Sequence, residues 1–351
     1  GEEGTSYLWS VEQIRQHFDG KTANDVIRLF GISDNGNFEG KNILYLPEGL
    51  DVPLLRRSRE TLLPLRDERQ QPHCDDKIIT SWNGLTIAAM ARLGAATGDQ
   101  DLIIDATNAA NFIKESLFDN NGRLLRRWRQ NEAVIPAFLE DYAFLIWGII
   151  ELYQASFLTK DLNWAVQLTE EMLNLFSDGN GGLYDTGHDA EKILTRGRNL
   201  QDGAMPSGNG TATMVLMRLG LLTGRQDFSD AGESILRNNS PLINNYPTAF
   251  SMSLIAADYL FGPTESLVIA GDNKIPENLL EVPRNSYHPR LELIFKNKDD
   301  TKIDNIAPIT TGKTAKKGQA TAWLCRDKSC QEPVTEPGQL ARLLQKPVTT
   351  S

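Results

Sequence analysis

Ser81-Trp82-Asn83-Gly84 opens an apolar run with helical spacing, and the same kind of opening recurs twice further along the chain. It returns as Glu140-Asp141-Tyr142-Ala143 and again as Ser207-Gly208-Asn209-Gly210. The first and third runs end in short turns, Thr97-Gly98-Asp99 and Thr223-Gly224-Arg225, before a second helical pattern begins. Such a repeat is typical of stacked helical hairpins, because one hairpin alone cannot bury its apolar face.

Helical patterns fill the middle of the chain. Their apolar spacing predicts seven helices, at 82–96, 100–117, 141–157, 161–177, 208–222, 227–238 and 247–260. The links 118–140 and 178–207 between hairpins are long, and long loops in a compact domain are usually functional. If the first helices form an inner layer and the second helices an outer layer, these links and the starts of the inner helices share one rim.

The segment before the repeat, residues 1–75, has a mixed pattern. Ser10 is placed to cap a first helix, with Gln13 completing a capping box. Further helices are predicted from Thr22 to Phe30 and from Arg56 to Arg69, and a short strand at 43–46. We assign this segment to the same fold as the hairpins that follow.

The segment after the repeat, residues 263–351, changes character. It predicts three strands and two helices, at 266–270, 291–295, 321–324, 274–282 and 338–345. The predicted fold is therefore mainly α: a partial toroid of antiparallel helical hairpins over 76–262, with a small C-terminal α/β appendage.

Composition limits the classes of function. The net charge of −10 argues against a nucleic-acid partner, although four arginines surround Trp128 in a segment that suits a solvated loop or an anionic ligand. Three cysteines are too few for a disulfide scaffold and favour a reducing, cytoplasmic location. The sequence contains no uninterrupted run of about 18 apolar residues, so no membrane helix is predicted. Because the chain begins Gly1-Glu2-Glu3, we expect an internal part of a longer protein.

Five ordered segments carry a family resemblance. They are Pro72-His73-Cys74-Asp75-Asp76-Lys77, residues 81–85, residues 139–144, residues 202–209 and the tail from Ala320 through Cys330. Together they resemble the thioredoxin-domain-containing, spermatogenesis-associated protein 20-like family. Its members have an N-terminal thioredoxin-like domain followed by an (α/α)6 toroid similar to N-acylglucosamine 2-epimerases and six-hairpin glycosidases.

This resemblance implies that the chain is the C-terminal part of such a protein. The thioredoxin-like domain and the remaining toroid hairpins are then its expected partners. An incomplete ring exposes apolar helix faces, so the resemblance predicts that this part alone aggregates or dimerises. The carbohydrate link of the family rests on fold analogy.

Candidate catalytic residues come first from the segment before the first inner helix. His73, Asp76 and Lys77 suit acid–base work on a sugar hydroxyl or glycosidic oxygen, or else form a salt-bridged loop. Glu140 and Asp141 offer the two carboxylates that glycoside hydrolysis needs, or else cap their helix. Since neighbouring helix residues point about 100° apart, Asp141 pairs better with Asp76 or with Asp202 than with Glu140.

Candidate substrate-binding residues lie at the helix starts and on one loop. Trp82, Asn83 and Tyr142 would form a wall that stacks on a sugar and hydrogen-bonds to it, or else are core aromatics beside a capping amide. Four further polar residues have capping or turn roles as their alternatives: Asp185, Asp202, Ser207 and Asn209.

Other motifs fail. Gly312-Lys313-Thr314 lacks the earlier glycine of a phosphate-binding loop, because that position is Ala307. Cys325 and Cys330 have no second pair for zinc and are not a Cys-x-x-Cys motif. We therefore expect neither a metal nor a cofactor.

The resulting hypothesis is a carbohydrate-binding or carbohydrate-processing toroid, in which Asp76 or Asp141 is the general acid or base and Lys77 neutralises charge. A sugar 2-epimerase would need convergent histidines, and only His73 lies near these residues in the sequence. The alternative is a non-catalytic scaffold that supports a thioredoxin-like domain in redox chemistry or protein folding. An open polar cavity would favour the first hypothesis, and a filled or apolar one the second.

Overall fold

The structure, a computed structural model, describes residues 3–191, 194–272, 274–326 and 329–345. The chain forms two compact units, residues 1–76 and residues 77–351. We refer to them as the N-terminal unit and the helical unit.

The N-terminal unit contains three helices, α1 (Val11–His17), α2 (Gly20–Leu29) and α3 (Val52–Asp67). Their apolar sides pack around Ile14 and Val26, which are fully buried. The predicted capping box is confirmed, because Ser10 Oγ accepts from the Gln13 amide and Gln13 Oε1 accepts from the Ser10 amide.

The strand predicted at 43–46 was wrong. Asn42 pairs with Trp9 through its amide and its carbonyl, but residues 43–46 form no strand and the Tyr45 amide makes only a single bond, to the Phe30 carbonyl. Ile43 and Tyr45 are about half exposed, so an apolar run alone did not identify a buried strand here.

The helical unit is built from paired helices. The pairs are α4 (Thr80–Thr97) with α5 (Gln100–Ser116), α6 (Leu139–Ser156) with α7 (Thr159–Phe176), and α8 (Gly208–Thr223) with α9 (Gln226–Asn245); α10 (Ser251–Phe261) follows. All seven predicted helices are confirmed. The first members pack in the order α4–α6–α8–α10 and form an inner layer, while α5, α7 and α9 form an outer layer.

Local chemistry sets the ends of these helices. Gly98 and Gly224 end α4 and α8 in the left-handed region, with φ of 75° and 70°. Asp99 then caps α5 by accepting from the Asp101 amide. These are the turns that the sequence repeat predicts.

The link 118–140 is more ordered than a loop. It contains a hairpin of β2 (Leu125–Arg129) and β3 (Glu132–Pro136), and β2 also pairs with β1 (Ile78–Ile79). Gln130 and Asn131, both at positive φ, form its two-residue turn. The link 178–207 has no helix or strand among its described residues, which exclude 192 and 193.

The C-terminal part is a small α/β layer, as predicted. It contains β4 (Glu265–Gly271), α11 (Glu277–Arg284), β5 (Leu291–Asn297), α12 (Lys302–Ile306), β6 (Thr321–Arg326), β7 (Ser329–Cys330) and α13 (Pro337–Gln345). The strand order is β5-β4-β6-β7, with β4 and β5 parallel. Its buried residues share one core with the inner helices, so this layer belongs to the helical unit.

The disulfide between Cys325 and Cys330, which joins β6 to β7, was not predicted from the sequence. Among the described residues, no helix combines the length and the hydrophobicity needed to cross a bilayer. The mainly helical class with antiparallel hairpins and a small α/β part is confirmed, and its two layers are the arrangement expected of a segment of an (α/α)6 toroid.

Candidate ligand-binding site

The predicted catalytic residues are divided between the two units. His73 and Asp76 are exposed and belong to the N-terminal unit, whereas Lys77, also exposed, begins the helical unit. The other predicted site residues all lie in the helical unit. Pairing of Asp76 with Asp141 therefore stays a prediction.

Beside the start of α6 lies a group of charged residues that we call the carboxylate cluster: Glu140 and Asp141 of α6, Arg126 of β2 and Asp185 of the link 178–207. Asp141 is fully buried, and its Oδ2 accepts from Arg126 Nη1 at 2.9 Å and from the Phe138 amide at 2.9 Å. Its Oδ1 accepts from the Ser81 amide of α4 at 3.1 Å. Asp141 therefore caps α6 and ties it to α4, which matches the capping alternative.

Glu140 and Asp185 are the members of the cluster that carboxylate chemistry would use. Glu140 is partly exposed, and its Oε1 accepts from Arg126 Nη1 at 2.8 Å. Asp185 is half-buried and accepts from the Asn199 amide at 2.9 and 2.8 Å. Burial raises the pKa of Asp185, and the nearby charge of Glu140 raises it further, although the Asn199 hydrogen bond opposes both.

The predicted aromatic wall does not form. Tyr142 is fully buried against Phe176, and its hydroxyl accepts from Arg123 Nη1 at 3.0 Å. Trp82 is instead 53% exposed on α4, so the two rings do not share one surface. Asn83 lies inside the first turn of α4 and donates to the Ile79 carbonyl at 2.9 Å, so it does not cap this helix, whose start has no side-chain cap.

The polar residues near α8 mainly hold helix starts. Asp202 accepts from the Ser207 amide and from the Met252 amide, both at 2.8 Å, and so joins the start of α8 to that of α10. Ser207 caps α8 by accepting from the Gly210 amide at 3.0 Å. Asn209 is buried and donates to the Asn199 carbonyl at 3.2 Å, while its Oδ1 has no hydrogen-bond partner among the described residues.

One face of α6 leads away from the carboxylate cluster. Between residues 139 and 155 all side chains are buried except Glu140, Trp147 and Gln154. These three are seven residues apart and therefore lie on one face, over a length of about 21 Å. We call them the α6 stripe, because they are the partly exposed residues of this stretch of the helix.

The far end of the α6 stripe opens into a cavity of about 650 Å³, which we call the inner-helix cavity. Its walls come from the C-terminal halves of α4 and α6, from α8 and α10, and from the segment between α11 and β5. Aromatic residues Trp147, Tyr259 and Tyr287 line it together with charged and amide side chains. The cavity is thus open and of mixed polarity.

A buried ion network forms the inner wall of this cavity. Arg218 Nη1 donates to Glu151 Oε1 at 2.5 Å, and its Nε donates to Glu292 Oε1 at 2.7 Å. Gln154 and the Tyr259 hydroxyl also donate to Glu292, and Trp147 Nε1 donates to Glu151 at 2.9 Å. The network fixes side chains of α6, α8, α10 and β5 against one another.

The charges in this network depend on one another. Burial alone would lower the pKa of Arg218, but the charges of Glu151 and Glu292 outweigh it and raise that pKa well above its ordinary value. Burial, and then the charge of Glu292, raises the pKa of Tyr259. Arg218 is therefore a permanent cation and Tyr259 a neutral donor.

Sequence reasoning missed the inner-helix cavity because it searched the helix starts. One signal was available: Glu151 and Arg218 are single charges inside apolar helical runs. Such charges are rarely buried without a partner, so their positions predict a paired charge on a neighbouring element. Across the described part of the chain, no group of three or more His, Cys, Asp or Glu side chains is placed to hold a metal ion.

The chain is 30% identical to human spermatogenesis-associated protein 20 over an alignment that covers 97% of this chain and 49% of the human protein. The chain is homologous to spermatogenesis-associated protein 20. The rat protein of the same name is 28% identical, with 98% of this chain and 50% of that protein covered. The chain thus spans about half the length of these relatives, and no family model matches it.

Solved structures show a partial likeness of the backbone. A glycoside hydrolase family 76 mannosidase from Bacteroides thetaiotaomicron aligns with a TM-score of 0.39 and 17% identity, covering 48% of this chain and 45% of that one. A cellobiose 2-epimerase from Bacillus thermoamylovorans aligns with a TM-score of 0.39 and 13% identity, with the same two coverages. Similarity of this degree gives no information on a ligand.

Proposed function

We propose that the helical unit binds a saccharide in the inner-helix cavity. The observation that carries this proposal is the combination of aromatic rings with pre-fixed polar groups around one open cavity of about 650 Å³. This volume lies within the range of small-molecule sites, roughly 300–1,000 Å³. Saccharides need both kinds of contact, because a sugar ring has an apolar face and a rim of hydroxyl groups.

The aromatic contacts come from two sides of the cavity. Trp147 lies on the α6 stripe, and its hydrogen bond to Glu151 fixes the orientation of the indole ring. Tyr287 lies on the segment between α11 and β5 and is 84% exposed. A ring so exposed gains most from being covered by a ligand.

The polar contacts are fixed before any ligand arrives. Glu151, Gln154 and Arg218 line the cavity and belong to the buried ion network. Side chains held in this way lose little conformational entropy on binding, which favours affinity for a polar ligand. A cavity of this kind supports ligand binding better than the scaffold alternative, for which a filled or apolar cavity is expected.

Calorimetric titration of the chain with a panel of neutral oligosaccharides tests the proposal. We expect at least one sugar to bind, and Tyr287→Ala to weaken its binding by about three- to tenfold. Tyr246→Ala is the matched control, because Tyr246 is also exposed but does not line the cavity. Absence of binding by every sugar, or an equal loss in both variants, overturns the proposal.

A second candidate function is acid–base processing, at the carboxylate cluster, of a saccharide long enough to extend there from the inner-helix cavity along the α6 stripe. The raised pKa of Asp185 favours it, since this carboxyl keeps its proton to a higher pH than an ordinary aspartate and so suits a general acid. Glu140, held by Arg126, supplies a second carboxylate on the α6 stripe. Loss of turnover with unchanged binding in Asp185→Asn would support processing, and unchanged turnover in this variant would exclude it.

A further inference from the structure

We propose that the saccharide carries an anionic group, a carboxylate or a phosphate ester, and that Arg92 and Arg284 bind it. This inference rests on the proposed saccharide site and specifies its chemical class. It follows from two arginine side chains on the cavity wall, Arg92 and Arg284, that have donors without a hydrogen-bond partner among the described residues.

Arg92 is the more accessible of the two donors. Its side chain lines the cavity from α4 and is 63% exposed. Its Nη1 reaches Glu151 Oε1 only at 3.9 Å, which is beyond hydrogen-bond length. That oxygen already accepts from Trp147 Nε1 and from Arg218 Nη1. Among the described residues Arg92 therefore has an ion-pair neighbour but no hydrogen-bond acceptor.

Each acidic side chain beside the cavity already has an arginine partner. Glu151 and Glu292 share the buried Arg218, and Glu151 also lies 3.9 Å from Arg92. Asp258 Oδ1 is paired with Arg290 Nη1 at 3.2 Å. A cationic group on the ligand would therefore compete with protein cations that are in place, whereas an anionic group would meet the arginine donors.

Arg284 adds a second, more enclosed donor. Its side chain lines the cavity from α11 and is 15% exposed. Its Nη1 donates to Glu277 at 3.1 Å, but its buried Nε has no hydrogen-bond partner in the described part of the chain. A buried donor without a partner is costly, so an anionic oxygen that accepts from it recovers free energy on binding.

Both carboxylates and phosphates suit these groups. The planar guanidinium offers pairs of parallel N–H donors, which match two oxygens of either anion. Hydrogen bonds between charged groups are roughly twice as strong as neutral ones, so the anionic group is expected to dominate selectivity.

The test compares matched ligands by calorimetry on the full chain. Each neutral oligosaccharide of the panel is titrated beside two derivatives, one with a hydroxymethyl group oxidised to a carboxylate and one bearing a 6-phosphate, and inorganic phosphate is titrated alone. We expect one or both anionic derivatives to bind about tenfold more tightly than the neutral sugar. Arg92→Ala should remove most of that preference, so that the neutral and anionic sugars bind the variant with similar affinities, while Arg92→Lys should keep part of it.

Arg237→Ala is the control, because Arg237 is 75% exposed on α9 and does not line the cavity. Equal affinities for neutral and anionic sugars, or a preference that survives Arg92→Ala, overturn the anionic inference while the saccharide proposal stands. Failure of all sugars to bind overturns both. If inorganic phosphate binds as tightly as the sugar phosphate, the anion site is supported and recognition of the sugar is not.

Discussion

At the residue scale, the helix starts that the repeat picks out are mostly structural. Asp141, Ser207 and Asp202 each accept backbone amides that a helix start leaves without an intrahelical partner. In the sequence alone, such residues cannot be distinguished from catalytic ones, because helix capping and acid–base chemistry use the same types of side chain. Burial distinguishes the two roles, since Asp141 is enclosed while Glu140 beside it reaches the surface.

The capping role of Asp141 gives a stability prediction. Burial raises the pKa of Asp141, as it does for Asp161, but Asp141 has three hydrogen-bond donors where Asp161 Oδ2 has none. Asp141→Asn should therefore lower the free energy of unfolding by about 2–4 kcal/mol, because it removes one charge of a buried pair and places an amide group among donors. Glu140→Gln, which affects the same Arg126 from a more exposed position, should cost less than about 1 kcal/mol. Urea unfolding of both variants is the measurement, and equal losses would contradict the assignment.

Asp161 provides a pH prediction. It is 8% exposed, its Oδ2 has no hydrogen-bond partner among the described residues, and burial raises its pKa. A carboxyl whose pKa is raised by folding destabilises the folded state while it is ionised, and this cost disappears as the pH falls through the raised pKa. Asp161→Asn should therefore be more stable than the parent chain at neutral pH, with a difference that shrinks toward pH 3.8.

Asp227 is the control of opposite sign. Its hydrogen bonds with Arg225 lower its pKa, so it stabilises the folded state when ionised. Asp227→Asn should be less stable than the parent chain at neutral pH, and its deficit should also shrink as the pH falls through the lowered pKa. Urea unfolding at several pH values measures both variants. A constant difference for Asp161→Asn across this range would rule out the titration that we describe.

At the scale of elements, the contact of α4 with α6 depends on two glycines. A methyl group at Gly84 would lie 2.5 Å from the Phe144 carbonyl carbon, and one at Gly148 would lie 2.6 Å from the Gly84 carbonyl oxygen. The backbones of the two helices therefore touch directly. This approach brings the Ser81 amide within reach of Asp141, so packing and capping support each other.

Gly84→Ala should therefore destabilise the helical unit although alanine favours helices. We expect a loss of about 2 kcal/mol, because overpacking outweighs the gain in helix propensity. Gly338→Ala is the matched control, since Gly338 is also helical and a methyl group there meets no atom within 4 Å. Thermal unfolding followed by circular dichroism compares the two, and a Gly84→Ala variant as stable as the control would refute the contact.

At the scale of the whole molecule, the boundary between the two units is accessible. Residues 71–77 are exposed and contain neither helix nor strand. Exposed segments of this kind are preferred sites of limited proteolysis. We expect trypsin to cut first after Lys77 and to leave a persistent helical unit, as followed by mass spectrometry.

Lys77→Gln removes this tryptic site, so the first cut of the variant should be slower than that of the parent chain. Early cleavage inside the hairpins, at Arg92 or Lys114 for example, would show that the helical unit is less stable than its continuous core implies. The core extends from the inner helices into the α/β layer, so residues 263–345 should not be released as a separate fragment.

Most secondary structure followed from the sequence alone. Helix and strand positions in the helical unit depend on local periodicity, on glycine turns and on capping residues, and these act within a few residues. The β2–β3 hairpin was missed because its turn, Gln130-Asn131, lacks the glycine that usually marks such turns.

The sequence by itself determined the paired helices, their turns and the α/β ending, because each depends on neighbours in the chain. Only the tertiary structure decided which polar residues face a ligand. Glu140 and Asp141 are adjacent acidic residues that the sequence does not distinguish. Contacts with α4 and β2 bury Asp141 and leave Glu140 partly exposed. The inner-helix cavity likewise arises from Arg92, Glu151 and Arg218 on three helices, whose approach is set by packing between distant segments.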